Sequence, residues 1–153
     1  MAARLVLDVS YGARRPWAPS HRLLAKWAAA ALSSHKPVGL SVRIVGDARS
    51  RGLNARFRHK DKPTNVLSFA GAGVGPDGRL LLGELVICAP VVAREARDQH
   101  KPLAAHWAHM TIHGVLHLLG FDHERSSEAK KMEAREIQIL DRLGFSEDRK
   151  SVV

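Results

Sequence analysis

The stretch HGVLHLLGFDH, residues 113 to 123, places three histidines at spacings of four and six residues. Residues four apart on an α-helix lie on the same face, about 6 Å apart along the axis, so His113 and His117 can direct two ring nitrogens at one point. On a straight helix, a histidine six residues further on would point away from that position. Gly120 is the residue type that commonly ends a helix in a left-handed conformation, which would let the chain turn back and bring His123 to the same point.

This arrangement predicts a metal site of the catalytic kind. Three neutral imidazoles suit one Zn²⁺ ion and leave a fourth coordination position open. The alternative is that the histidines serve only packing and polar satisfaction, but the spacing and the glycine at the bend favour metal binding. His106 and His109 lie on the same helical face as His113. Because the exit loop can reach only the C-terminal end of the helix, we expect His109 to be a core residue or to orient a ligand.

The residue after the first histidine argues against one class of enzyme. Zinc proteases share the pattern HxxxHxxGxxH, and in them a glutamate at this position removes a proton from the metal-bound water. Here the position is Gly114. An enzyme without this base would lose a large part of its rate. The sequence therefore disfavours a protease and leaves metal binding intact.

The hydrophobic pattern predicts the elements that must position these histidines. Strands are predicted at residues 4–10, 38–46, 65–70 and 79–88. The first helix is predicted at 20–34 with Ser20 as N-cap, and a short helix follows residue 46. Further helices are predicted from Pro90 to about Gln99, at 103–119, and from Ser127 to Leu143 before Gly144. The helix at 103–119 has hardly any polar face, so it belongs in the centre. We expect one α+β domain over residues 1–153, with a mixed sheet of about four strands packed against this central helix.

Two features of the third and fourth strands have structural rather than catalytic interpretations. GVGPDG, residues 73–78, satisfies GxGxxG, but a strand follows it, and a dinucleotide site needs a helix N-terminus there. We therefore expect a hairpin connection. Cys88 is the one cysteine, which excludes an internal disulfide, and its apolar neighbours predict a buried thiol that fits a reducing compartment.

The composition indicates a globular protein with a basic surface. It is 45% hydrophobic and 25% charged, and 24 Lys and Arg against 15 Asp and Glu give a formal charge of +9. This excess favours a polyanion partner, with nucleic acid preferred over an anionic membrane, although a basic surface alone is the simpler alternative. The N-terminal apolar run is too short for a signal peptide, and no segment approaches the roughly 20 apolar residues of a membrane span. We expect a cytoplasmic protein.

Two stretches carry a resemblance to a known family. HWAHMTIHGVLHLLGFDHE and LNARFRHKDKPTNVLSF, with the strand LGELVIC, resemble the YbeY family of bacterial endoribonucleases over about residues 42 to 125. The resemblance implies a zinc-dependent, single-strand-directed endoribonuclease. It would act in rRNA maturation, notably at the 3′ end of small-subunit rRNA, and in ribosome quality control. It further implies rRNA and ribosomal particles as partners, with ribosomal proteins or assembly GTPases as further candidates.

Site residues are carried over position by position. His113, His117 and His123 match the zinc ligands of the family, and Arg58 matches its functionally important arginine. The sequence departs from the family pattern in having Phe57 in place of tyrosine and Ala70 in place of proline, and it has Glu84 where aspartate or glutamate occurs.

Phosphodiester cleavage requires stabilisation of charge on the phosphoryl oxygens, which zinc and an arginine can supply together, so the predicted catalytic residues are Arg58 and His113. The nucleophile is open between zinc-bound water and the substrate 2′-hydroxyl. Glu84 and Asp122 are candidate bases or orienting residues, with the orienting role favoured for Asp122. A basic face would hold the RNA backbone, and its candidates are Arg49, Arg51, Arg56, Arg58, Lys60 and Lys62.

The sequence leaves two rival functions open. One is a non-catalytic ribosome-assembly factor that uses zinc only for folding. The other is a metalloprotease-like hydrolase.

Overall fold

The computed structural model describes residues 4–32, 37–121 and 126–145. These ranges contain four strands and five helices, and the predicted α+β class is confirmed. In chain order they are β1 (Leu5–Tyr11), α1 (His21–Ala30), β2 (Val38–Val45), α2 (Asp47–Arg58), β3 (Val66–Val74), β4 (Leu80–Cys88), α3 (Ala89–Asp98), α4 (Leu103–Leu118) and α5 (Ser126–Arg142).

The sheet is mixed, as predicted, with strand order β1-β2-β4-β3. β1, β2 and β4 are parallel, whereas β3 runs antiparallel to β4. Parallel neighbours need crossover connections, which α1 provides between β1 and β2. β3 is therefore an edge strand, and one side of it is available to form the wall of a site.

β3 continues four residues beyond the predicted end at Ala70. Pairing with β4 shifts register between Ala70 and Gly73. A Cβ atom at Gly71 would lie 2.2 Å from the carbonyl oxygen of Leu81, so only glycine fits this close approach. The run of small residues has no apolar alternation, which is why the sequence pattern did not extend the strand.

The GxGxxG segment lies in the turn of a hairpin, as predicted. Residues 75–79 connect β3 to the antiparallel β4, and the Gly75 N–H donates to the Arg79 carbonyl oxygen at 2.8 Å. No helix N-terminus follows it, so the dinucleotide interpretation is excluded.

The apolar helix α4 is central. It packs against α1, α3 and α5 and against strands β3 and β4. Trp107, Ile112, Val115 and Leu116 are almost completely buried along it. Burial of each such side chain contributes about 1.5–3 kcal/mol to the free energy of unfolding. The helix that carries His113 and His117 is therefore a rigid support.

Helix α1 is shorter than predicted. It begins after Ser20, whose side chain accepts a hydrogen bond from the Leu23 N–H as expected for an N-cap, but it ends at Ala30. The N–H groups of Ala31 and Leu32 donate to carbonyl oxygens three residues back, which tightens the chain into a turn. The last part of the predicted helix, residues 33 and 34, lies outside the described residues.

Cys88 is completely buried at the end of β4, which confirms the prediction of a buried thiol. Burial raises the pKa of this thiol, so the side chain is unsuited to act as a nucleophile. Within the described ranges, no helix combines the length and apolar character that crossing a membrane would require.

Candidate active site

A cleft of about 490 Å³ lies between the C-terminal end of α2, strand β3 and helix α4. Its lining residues come from these elements and from the loop that joins α2 to β3. They are Phe57, Arg58, Thr64, Asn65, Val66, Leu67, Ser68, Phe69, His113 and His117. Three of the predicted site residues thus line one cavity.

His113 and His117 lie one helical turn apart at the end of α4, and both line the cleft. Gly120 has a φ of 105°, which confirms the predicted left-handed exit from this helix. His123 lies outside the described residues, and so does Asp122. Within the described ranges, no three His, Cys, Asp or Glu side chains are grouped as a metal site would require.

A buried carboxylate fixes the orientation of His113. Glu136 on α5 is 5% exposed. Its Oε2 lies 2.6 Å from Nδ1 of His113, and its Oε1 lies 2.8 Å from Nε2 of His109. Burial alone would raise the pKa of Glu136, but the hydrogen bonds with His109 and His113 outweigh it and lower the pKa to about 2. The carboxylate is therefore ionised at neutral pH.

An ionised carboxylate only accepts hydrogen bonds, so both histidines must donate to it. His113 then carries its proton on Nδ1, and in the neutral ring Nε2 holds the lone pair. His109 donates from Nε2, and its Nδ1 can accept from Lys101, whose Nζ lies 3.5 Å away. The chain from Lys101 to His113 thus assigns one tautomer to each ring, and it places His109 against the carboxylate that also contacts His113.

A second carboxylate, on α3, holds a cleft-lining side chain in place. Glu95 on α3 accepts from Nε2 of His106 at 2.9 Å and from Nδ2 of Asn65 at 3.1 Å. Burial acts to raise the pKa of Glu95, but the bonds from His106 and Asn65 outweigh it, so the pKa lies below its usual value. Asn65 lines the cleft, and this contact fixes its side chain.

Arg58 is the last residue of α2, and the helix ends because His59 adopts a left-handed conformation with φ 59°. The side chain lines the cleft together with its neighbour Phe57. Among the other cations predicted for the basic face, Arg51 is paired with Asp61 at 2.7 Å, so its charge is already compensated. Arg49, Arg56, Lys60 and Lys62 are exposed on α2 and the loop after it.

The absent glutamate has a structural reason. Gly114 is buried where α4 crosses the sheet, and a Cβ atom there would lie 2.7 Å from Cδ2 of Leu85 on β4. A glutamate side chain at this position would extend into the sheet and not into the cleft. A glutamate here would require Leu85 to shift within the packed core.

Glu84, one of the two candidate bases, is placed differently from the histidines. Its carboxylate is paired with Arg43 at 3.1 Å on the sheet, and it is not among the described residues that line the cleft. The pairing with Arg43 holds its carboxylate on the sheet, outside the lining of the cleft.

The chain is similar to a described family over most of its length. The family model for endoribonuclease YbeY matches residues 17–144. The chain belongs to this family. Two relatives named Endoribonuclease YbeY, from Burkholderia cenocepacia (strain HI2424) and Burkholderia orbicola (strain AU 1054), are each 50% identical over 150 residues, which is 94% of this chain and 85% of theirs.

A solved structure shares the fold of this YbeY family member. The solution structure of TM1509 from Thermotoga maritima superposes with a TM-score of 0.59 at 24% identity, and the match covers 89% of this chain and 87% of that chain. The two stretches that carry the YbeY resemblance lie on facing sides of the cleft. One contains the end of α2 and β3, and the other contains the histidines of α4.

Proposed function

We propose that this protein is an endoribonuclease, as its relatives are named, and that it uses one zinc ion to cut single-stranded RNA. The observation that carries the proposal is that Arg58, His113 and His117 line one cleft whose first histidine is oriented by a buried carboxylate. Each feature has a place in phosphodiester chemistry.

The donor set fits zinc. His113 and His117 supply imidazole nitrogens, which zinc accepts readily, and His123 is the expected third ligand. Glu136 holds the proton of His113 on Nδ1, so Nε2 is the nitrogen that a metal would use. A carboxylate behind an imidazole is a common way to fix the tautomer and raise the basicity of a metal-ligating ring. When bound, zinc would act as a Lewis acid on the phosphoryl group.

Arg58 supplies the second positive charge of the proposed site. Its planar guanidinium can donate two parallel hydrogen bonds to phosphate oxygens, a geometry that lysine cannot match. Charge on these oxygens changes during cleavage, and a fixed donor in the cleft stabilises it without reorganising. Because Arg58 lies at the end of a helix, its backbone is held in place while the side chain reaches the substrate.

The cleft favours RNA over a peptide as the substrate. Gly114 is packed against Leu85, so the position of the protease base is closed. The net charge of +9 and the exposed cations around Arg58 would attract a polyanion. Both features disfavour the metalloprotease-like alternative.

The family resemblance supports a proposal for the biological substrate. We propose that the protein matures rRNA, with the 3′ end of small-subunit rRNA as the principal target, and takes part in ribosome quality control. It would then act in the cytoplasm on ribosomal particles, where ribosomal proteins or assembly GTPases are the proposed protein partners.

The test is cleavage of labelled single-stranded RNA by the wild type and by His113→Ala, Arg58→Ala and Arg22→Ala. Arg22 is an exposed arginine on α1 that is not among the cleft-lining residues, and it serves as the matched control. We expect His113→Ala and Arg58→Ala to lose about 10²-fold or more in rate, as when an oxyanion donor is removed. Arg22→Ala should keep the wild-type rate.

Zinc content measured on the same preparations separates the alternatives. Equal cleavage by all four proteins would identify a contaminating nuclease and reject the proposal. Stoichiometric zinc in a wild type that cuts no RNA would instead support the non-catalytic assembly factor.

A further inference from the structure

Phe57 is an exposed aromatic side chain inside the cleft. It lies on the last turn of α2, directly before Arg58, and 51% of its surface is accessible. Trp17, another exposed aromatic residue, stacks edge-on with Trp107 and is not among the cleft-lining residues. Among the described residues that line the cleft, the phenyl rings are those of Phe57 and Phe69.

The ring of Phe57 is held in position by two neighbours. Its centroid lies 5.1 Å from that of Phe69 at an interplanar angle of 73°, an edge-to-face contact. The guanidinium carbon of Arg56 lies 5.2 Å from the same centroid. Arg56 lines a smaller cavity of about 200 Å³ that shares Phe57 and Phe69 with the cleft, and it does not line the cleft itself. The ring is thus supported by its neighbours while remaining accessible from the cleft.

From this geometry we propose that Phe57, supported by Phe69, is a stacking platform for an unpaired nucleobase beside the phosphate bound at Arg58. This inference rests on the proposed function and names the part of the substrate that the cleft recognises. The cleft has the volume of a site for a nucleotide-sized ligand. Because Phe57 and Arg58 are adjacent in the chain, one short segment would contact a base and a backbone phosphate of the same strand.

The platform provides a physical reason for acting on single strands. Every base has a π-face, so stacking on an aromatic ring is tolerant of sequence. A base in a duplex is already stacked and paired, and it reaches a protein ring only after those contacts are lost. Phe57 would therefore select for unpaired RNA without selecting for one base.

The experiment measures equilibrium binding of the intact, metal-loaded protein by fluorescence anisotropy. Two short oligonucleotides of equal length are compared, one with bases and one built from abasic units. Both carry phosphorothioate linkages and no 2′-hydroxyl, so that they resist cleavage. We expect the wild type to bind the base-containing strand about 5- to 100-fold more tightly, which is the range for stacking of one base.

Three variants locate the effect. Phe57→Ala should bind both strands equally, and Phe57→Tyr should keep the preference because it keeps an aromatic face. Val74→Ala is the matched control, since Val74 is 62% exposed on β3 and is not among the cleft-lining residues. It should retain the wild-type preference. Quenching of 2-aminopurine in the strand should accompany binding to the wild type and disappear in Phe57→Ala.

The inference is overturned if Phe57→Ala keeps the wild-type preference, or if the wild type binds the two strands equally or not at all. Cleavage is measured separately. A wild type that shows a Phe57-dependent preference but cuts no RNA would support the platform and reject the proposed enzymatic activity.

Discussion

At His113, the hydrogen bond to Glu136 determines which ring nitrogen carries the proton and which carries a lone pair. The carboxylate accepts from two histidines at 2.6 and 2.8 Å and is ionised, with a pKa lowered to about 2. A neutral carboxylic acid could not accept both bonds with both oxygens. Glu136 therefore acts through the two histidines and not on the substrate, so it is a positioning residue.

Replacing Glu136 by glutamine tests this role. A glutamine has one oxygen to accept a hydrogen bond, so one of the two histidines loses its acceptor at position 136. We expect zinc affinity to fall about 10- to 100-fold, and the free energy of unfolding to fall by about 1–3 kcal/mol because a buried donor is left unsatisfied. Competitive zinc titration and thermal unfolding measure the two effects.

The matched control for Glu136→Gln is Glu133→Gln, an exposed position on the same helix. It removes the same charge without touching His109 or His113 and should change neither quantity. If Glu136→Gln bound zinc as tightly as the wild type, the positioning role of Glu136 would be contradicted.

The sequence predicted site residues that lie within local patterns, but it did not predict the carboxylate behind His113, which lies further along the chain. His113 and His117 follow from their spacing, and Arg58 from the family resemblance. Glu136 was missed, although it is the charged member of the buried face of α5, whose other members are Met132, Ile139 and Leu140. A charge on an apolar face was a usable signal. Its partner could not be named, because the sequence does not give the contact between α5 and α4.

At the scale of elements, the close approach of α4 to β4 brings the histidines to the sheet. Gly114 permits it, since a Cβ atom there would overlap with the completely buried Leu85. The edge strand β3 crosses near the same point, and the Ser68 hydroxyl lies 3.5 Å from the carbonyl oxygen of Gly114. The glycine at position 114 therefore lets α4 lie close to β4, and the shape of the cleft depends on this close packing.

We predict that Gly114→Ala lowers the free energy of unfolding by about 1–3 kcal/mol, because Leu85 has to shift within a packed core. Gly52→Ala is the control. Gly52 lies inside α2 with no atom within 4 Å of an added Cβ, and alanine there should stabilise the protein by about 0.5–1 kcal/mol. Chemical denaturation measures both changes. Equal effects of the two substitutions would mean that the helix does not depend on close packing at Gly114.

The elements with a regular pattern were predicted well, and the errors lie where local geometry departs from the pattern. The four strands, the central apolar helix and the hairpin after β3 are all present. The sequence pattern did not predict the end of α1 or the extension of β3 beyond the register shift after Ala70. It also did not give the strand order, because pairing of β2 with β4 joins segments that are distant in the chain.

For the molecule as a whole, the proposed metal would link the end of α4 to the chain that follows it. A ligand that binds only the folded state raises the free energy of unfolding by an amount that grows with the logarithm of its free concentration relative to its dissociation constant. With free zinc about 100-fold above its dissociation constant, we predict that removing it lowers the melting temperature by roughly 5–10 °C. Differential scanning calorimetry before and after chelation measures the shift.

His113→Ala provides the reference for this measurement, since a protein that has lost a ligand should melt at the same temperature with and without chelator. An unchanged melting curve of the wild type after verified zinc removal would contradict the prediction. An equal shift in both proteins would show that the chelator acts elsewhere.

The location of Glu136 on α5, the last of the described helices, also has a consequence for the order in which the protein is made. A chain synthesised only as far as α4 already carries Arg58 and both described histidines, but it lacks the carboxylate that orients one of them. Such an incomplete chain would hold metal poorly and could not cleave efficiently. Under the proposed function, the chain would therefore become an efficient nuclease only after α5 has been synthesised and has packed against α4.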